Sequence, residues 1–149
     1  MPDHREAVEQ FFTAYAMVTD DALQEPPVED VDSLVEAFAP HVVGTSPRGV
    51  YGSINGKEFR RNLGRGFAHY RAVGGTAMRV TRVKTSELDD YHVLARVDWE
   101  FDYQRKQDGR RGTIAFQNMY LLTFADGTPK IFAFITPDEE RAMHDHGLV

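Results

Sequence analysis

The sequence predicts an α+β fold, with N-terminal helices packed on one face of a curved, mostly antiparallel sheet and a short helix at the C-terminus. Three observations carry this. As far as Tyr70 the apolar residues recur at steps of three and four, the spacing of an amphipathic helix. From Thr76 onward the period changes to two, the spacing of a strand with one buried face. Short polar turns then divide the alternating stretch, which joins neighbouring strands as hairpins.

Each element has its own local cause. Val8, Phe11, Phe12, Tyr15 and Val18 form the stripe of a first helix, and Asp3 with Glu6 gives a capping-box pattern before it. Residues 21–30 contain Pro26 and Pro27 and read as a loop. A second helix is expected from Val31 to Ala39, with Val31, Leu34, Val35 and Phe38 on one face and Pro40 as its stop. His41 to Ser46 reads as a brief strand, and Ser46-Pro47-Arg48-Gly49 as a turn. Asn55 and Glu58 supply a second capping pattern, with Ile54 placed to staple onto Phe59. The third helix follows through Phe59, Leu63, Phe67 and Tyr70, weakened by roughly 1 kcal/mol at each of Gly64 and Gly66 and ended by Gly74-Gly75.

The strands come next. Tyr91, Val93, Ala95, Val97, Trp99, Phe101 and Tyr103 alternate with mainly polar residues, so 91–104 is a long strand with one buried face. Thr76–Ser86 precedes it and Gly112–Phe124 follows it, the second hairpin turning at Asp108-Gly109. Ala125-Asp126-Gly127 leads into a last strand, Lys130–Ile135. Thr136-Pro137-Asp138-Glu139 then has the pattern of a helix N-terminus, with proline at the first helical position and acids in the first turn, and that helix should end near Gly147.

Composition narrows the function. The 149 residues, 42% hydrophobic and 27% charged, are expected to form one domain, without an internal repeat or a linker. A chain of this length buries about 68–70% of its unfolded surface and needs no staple. The absence of cysteine excludes disulfides and thiolate-held metals. A net charge of −6, with the Lys and Arg dispersed, argues against a nucleic-acid partner. No apolar run approaches the roughly 20 residues of a membrane span, and the start, Met-Pro-Asp-His-Arg-Glu, lacks the apolar core of a signal peptide. A cytoplasmic protein without a membrane partner is expected.

The order helix, helix, short strand, helix, four long strands, with Phe-Phe-Thr-Ala-Tyr, Leu-Val-Glu-Ala-Phe-Ala-Pro-His and Tyr-Gly-Ser-Ile-Asn-Gly-Lys-Glu-Phe at the corresponding places, resembles the nuclear transport factor 2-like superfamily. Its relatives include ketosteroid isomerases and SnoaL-like polyketide cyclases. The resemblance covers nearly the whole chain and implies a cone-shaped α+β barrel. It specifies a fold better than an activity, because the fold hosts enzymes and non-enzymes.

Ketosteroid isomerases use two donors to hold a substrate oxyanion. By resemblance Tyr15 matches the first donor, and Tyr120 stands where the second, an aspartate, is found. The general base, an aspartate before a proline, is replaced by Ser46 before Pro47, so that mechanism is expected to be lost. If Asp108-Gly109 is a two-residue turn, Phe101, Trp99 and Val97 lie opposite Phe116, Asn118 and Tyr120, which turns Asn118 and Tyr120 to the apolar side. A buried Asn or Tyr needs a partner, either protein or ligand.

Further patterns fall on the same register. Arg96-Val97-Asp98 resembles the Arg-x-Asp pair of limonene-epoxide hydrolases, yet the third acid of that set falls nearer Thr136 and the pair lies on the polar face, where Arg79 is expected opposite Asp98. A one-residue slip would reverse that facing. Scytalone dehydratases pair an aspartate after the first-helix tyrosine with inward histidines; here Ala16 follows Tyr15 and His92 is on the polar face. His144-Asp145-His146 does not converge on a helix, and Tyr51-Gly52-Ser53 lacks the first glycine of a nucleophile elbow. His41 and His69 are isolated, and no phosphate-binding loop is present, so neither a metal nor a cofactor is expected.

The expected site is therefore a pocket walled by Phe11, Tyr15, Phe38, Phe59, Phe67, Val97, Trp99, Phe116, Asn118 and Tyr120, with Tyr15, Tyr120 and Asn118 as its polar groups. It suits a small, mostly apolar ligand bearing an oxygen. Proton-transfer chemistry (isomerisation, cyclisation or dehydration) is the class that the resemblance implies for an enzyme. The alternative is a non-catalytic domain whose cone is only core. A homodimer through the outer sheet face is expected in either case.

Overall fold

The computed structural model describes residues 3–149. Met1 and Pro2, part of the leader-free start expected from the sequence, lie outside the described residues. Four helices, α1 (Arg5–Asp21), α2 (Val31–Glu36), α3 (Lys57–Ala72) and α4 (Glu139–Asp145), accompany six strands. The strands are β1 (Phe38–Ser46), β2 (Gly49–Ile54), β3 (Gly75–Glu87), β4 (His92–Gln104), β5 (Arg111–Thr123) and β6 (Lys130–Ile135). They form one sheet in the order β2-β1-β6-β5-β4-β3, antiparallel except where β1 and β6 run parallel. Register shifts between Val80 and Arg82 and between Leu121 and Leu122 increase its twist. The sheet stays open, with β2 and β3 as edges, so the expected barrel is an unclosed cone. Among the described residues no helix is long and apolar enough to cross a membrane.

The inner face of β4 follows the predicted alternation. Val93, Ala95, Val97, Trp99, Phe101 and Tyr103 are all buried, packed with Val8 and Phe12 of α1 and with Leu122 and Ile131 of β5 and β6. Tyr91, however, precedes the strand and is exposed; its N–H donates to Asp89 in the turn.

Several boundaries differ from the sequence reading, each because a long-range contact overrides a local preference. The second helix stops at Glu36 rather than Ala39, since Phe38 already pairs with Ile131 of β6. Pro40 then lies within a strand, in the interval between Phe38 and Val43 where the β1–β6 ladder is interrupted, so its missing N–H removes no rung. The turn at 46–49 opens into β2, a strand invisible to periodicity because it buries no face. Ile54 is exposed instead of stapling onto Phe59, which packs edge-on against Phe38 at 5.1 Å.

The expected caps also change. Asn55 does not cap α3; Gly56 occupies that place, and the Asn55 amide donates to the Val35 and Phe38 carbonyls, tying α2 and β1 together. At α1 the Asp3–Glu6 box is absent. His4 holds the N-cap position and bonds to Glu87 through its backbone N–H (2.7 Å) and its ring (2.9 Å). The last helix starts at Glu139, with Pro137 outside it and Asp138 accepting from the Arg141 N–H. The Gly64 and Gly66 positions leave α3 unbroken.

Two hairpin registers differ from those the turns predict. Residues 105–110 form a wider loop closed by Arg105 N–H to the Arg110 carbonyl, so Trp99 faces Phe116, Val97 faces Asn118 and Ala95 faces Tyr120. The displacement from the predicted pairing is two residues, an even number, and every side chain keeps its face. In the preceding hairpin Arg79 stands opposite Glu100, not Asp98, and bonds to both Glu100 and Asp102. Asp98 faces Arg82 instead, after the register shift.

Candidate functional site

Between α1, α3 and the concave face of the sheet lies a cavity of about 270 Å³. Tyr15 and Thr19 border it from α1, Leu63 and Tyr70 from α3, and Trp99, Phe116, Asn118 and Tyr120 from β4 and β5. Phe38, Phe134, Thr136 and Glu139 also line it. A second lobe of about 220 Å³ runs toward α4 past Met143 and Ile114, and shares Tyr70, Met78, Phe116, Asn118 and Glu139 with the first.

Polar groups are few and placed by the fold. Tyr15 falls on the sheet-facing stripe of α1, with its ring 6.0 Å from Trp99 and 6.3 Å from Tyr120. Its hydroxyl bonds to no protein group among the described residues. Tyr120 is held from both sides: the indole N–H of Trp99 (3.2 Å) and the amide Nδ2 of Asn118 (3.0 Å) donate to its hydroxyl oxygen. That oxygen already accepts twice, so its own hydrogen is left to donate elsewhere. Asn118 Oδ1 is buried without a partner, an acceptor available to a ligand donor.

Burial keeps these phenols protonated. It pushes the Tyr15 hydroxyl well above the usual tyrosine range, with nearby Tyr120 adding to the effect. The Tyr120 hydroxyl is pushed up to about 12 by burial, against the opposing pull of the Asn118 and Trp99 donors. Tyr70 is raised by burial, and then by the negative charge of Glu139 and a hydrogen bond to its carboxylate. At neutral pH all three are neutral hydrogen-bond donors, which suits them to hold an oxygen and not to remove a proton.

Six residues expected at the pocket from sequence border this cavity: Tyr15, Phe38, Trp99, Phe116, Asn118 and Tyr120. The other four are placed elsewhere. Phe11 stacks beside Tyr15 on a shallow outer hollow, Phe59 lies behind Phe38, Val97 is enclosed in the core, and Phe67 packs with Ala22 and Leu34 in a separate cluster. Among the wall residues absent from that expectation, Tyr70 belongs to a visible apolar stripe, whereas Tyr51 comes from the unpredicted β2 and Glu139 carried only a helix-start signal.

The remaining candidates lie away from the cavity. Ser46 ends β1 and its Oγ accepts from the Arg48 N–H. Arg96 is exposed and Asp98 accepts from Gln117, both on the outer face of the sheet. His41 and His69 are exposed, His92 pairs with Asp89, and the His146 ring bonds to the Tyr103 hydroxyl at 3.0 Å. Among the described residues no group of three His, Asp or Glu is arranged to hold a metal. A larger, open groove beside Gly74 is lined by Arg71 and Arg105, whose charges are already met by Glu29 and Asp108.

Residues 5–139 match the family described as NTF2-like protein (DUF6841). The chain belongs to this nuclear transport factor 2-like family. No functionally curated protein matches it in sequence. Solved structures of the same fold include a ketosteroid isomerase-like protein from Erwinia carotovora atroseptica, 17% identical with a TM-score of 0.61 over 92% of this chain and 97% of that one. A hexachlorocyclohexane dehydrochlorinase from Novosphingobium barchaimii is 11% identical, with a TM-score of 0.64 over 88% and 83% of the two chains. A nuclear transport factor 2-like superfamily protein from Salmonella enterica is 12% identical, with a TM-score of 0.63 over 91% and 92%. At these identities the likeness establishes the fold alone, here with helices against an open, mostly antiparallel sheet.

Proposed function

We propose that this nuclear transport factor 2-like chain acts as one domain that binds a small, mostly apolar molecule in the tyrosine cavity and holds its oxygen with the hydroxyls of Tyr15 and Tyr120. The observation that carries this reading is the state of Tyr120: its oxygen is occupied by Trp99 and Asn118, and its hydrogen remains to be given to something in the cavity. A ligand oxygen satisfies it. A volume of about 270 Å³ lies at the small end of ligand pockets, which run from about 300 to 1,000 Å³, and favours a ligand of two or three fused rings. The fold's occurrence in a ketosteroid isomerase-like protein and a dehydrochlorinase supports proton transfer as the reaction class.

Titration with 2-naphthol, a bicyclic phenol, tests the binding. Its fluorescence should report saturable binding to the wild type, with affinity lowered by about 1–3 kcal/mol in Tyr15→Phe. Absence of saturable binding, or equal affinity for the wild type and Tyr15→Phe, overturns the assignment.

A cytoplasmic homodimer through the outer sheet face belongs to the same proposal. That face carries half-buried Met119, Leu121 and Phe132 and exposed Val43 and Ile135, an apolar surface suited to a second copy of the chain.

A further inference from the structure

We infer that Glu139 is the proton acceptor of the tyrosine cavity, a role that rests on the binding reading above. The base position of ketosteroid isomerases is occupied here by Ser46, whose side chain is turned to the Arg48 N–H. The tyrosines are protonated donors. A carboxylate must therefore come from elsewhere if a proton is to leave a bound carbon, and the cavity wall contains one.

Glu139 opens α4 and borders both lobes, lining the same cavity as Trp99, Phe116, Asn118 and Tyr120. Its acidic neighbours are committed: Asp138 caps α4 through the Arg141 N–H, and Glu140 pairs with Arg48. Glu139 makes no ion pair among the described residues, and its carboxylate is approached from within the cavity by the Tyr70 hydroxyl, a neutral donor. It is exposed at the mouth, where a proton gained from the ligand exchanges with water. Its charge reaches Tyr70 and Tyr120, which places it within electrostatic range of the hydroxyls that would hold the ligand oxygen.

The ligand class follows from the presence of phenol donors and a carboxylate on the walls of one cavity. It is a ring ketone with an acidic α-C–H, its oxygen toward Tyr15 and Tyr120 and its α-carbon toward Glu139. A Glu139 carboxylate oxygen takes the α-proton. The C–H electron pair becomes the C=C bond of the enolate, and the carbonyl π pair moves to the oxygen, where the two phenol hydrogens bond to it. Return of a proton to carbon regenerates the carboxylate, and no co-reactant is needed.

Proton NMR of 2-tetralone in deuterium oxide tests this on the full-length protein, because each enolisation replaces an α-hydrogen by deuterium. The wild type should accelerate the exchange above buffer, and Glu139→Gln should lose about 10²–10⁴-fold of that acceleration. Glu139→Gln should still unfold cooperatively and bind 2-naphthol saturably, which shows that it is folded and its tyrosines are in place. Glu140→Gln, one residue along and outside the cavity, should exchange at the wild-type rate. Exchange that survives Glu139→Gln overturns the assignment of Glu139. A wild type that binds 2-naphthol yet does not accelerate exchange also overturns it, while leaving the binding pocket standing. A wild type that binds no 2-naphthol overturns the pocket and Glu139's role with it.

Discussion

Tyr120→Phe and Tyr15→Phe should affect the folded protein very differently, although each removes one phenol oxygen from the same cavity. The Tyr120 oxygen accepts from Trp99 Nε1 at 3.2 Å and from Asn118 Nδ2 at 3.0 Å. Trp99 is 2% exposed, so its indole N–H has no water to turn to when that oxygen is lost. An unsatisfied buried donor costs about 1–3 kcal/mol. Asn118 is half-buried beside the cavity and should cost less. For a chain of this size the loss corresponds to a melting temperature lower by roughly 2–12 °C. The Tyr15 hydroxyl has no protein partner among the described residues, and its removal should leave the melting temperature near that of the wild type. Thermal denaturation followed by circular dichroism, without ligand, measures both. A Tyr120→Phe protein as stable as the wild type, or a Tyr15→Phe protein as destabilised as Tyr120→Phe, refutes the hydrogen-bond network described for this cavity.

Other consequences are open to simple measurements. The single tryptophan, Trp99, should resist iodide quenching in the native protein and become quenchable on unfolding. Gly44→Ala would place a Cβ 2.8 Å from Phe134 Cζ and Tyr51 Cε2, both cavity-wall rings, so it should cost about 1–3 kcal/mol of stability and weaken 2-naphthol binding. Arg79 holds the Asp102 carboxyl below its usual range through a hydrogen bond, despite partial desolvation. Their stabilisation is present above the unfolded-state value, about 3.9, and is lost as pH falls through the depressed native value. Since the pair is largely exposed, Asp102→Asn should remove no more than about 1 kcal/mol of acid-labile stability, detectable as a flatter melting-temperature profile at low pH. Ile135→Asp should shift a sedimenting dimer toward monomer, and an unchanged sedimentation coefficient would count against the outer face as the contact.

The sequence revealed the cavity's strand side because facing depends only on parity. The β4–β5 pairing expected from the turn differs from the observed one by two residues, yet Asn118 and Tyr120 point inward in both, since an even shift preserves the face. The hydrogen-bond network depends on the exact register and not on parity. Trp99 reaches the Tyr120 hydroxyl across a diagonal of the sheet, while the residue directly opposite Tyr120 is Ala95. Strand β2 left no periodic trace because none of its residues is fully buried, and so Tyr51 could not be placed on the cavity wall. Glu139 was legible only as an acid in a helix's first turn, a sufficient local explanation. Its position at the mouth depends on how the chain folds back after β6, which no local pattern encodes. The caps failed for a related reason: His4 and Asn55 found partners in Glu87 and in the Val35 and Phe38 carbonyls.

The central claim is that Tyr15 and Tyr120 recognise a ligand's oxygen rather than merely lining an apolar hole. Isothermal titration of 2-naphthol and naphthalene against the wild type and the Tyr15→Phe/Tyr120→Phe double variant addresses it most directly, because the two ligands differ only in the hydroxyl. The wild type should prefer 2-naphthol by about 1–3 kcal/mol, and the double variant should bind both ligands with similar affinity. A preference of equal size in the folded double variant, or no preference in the wild type, would contradict it.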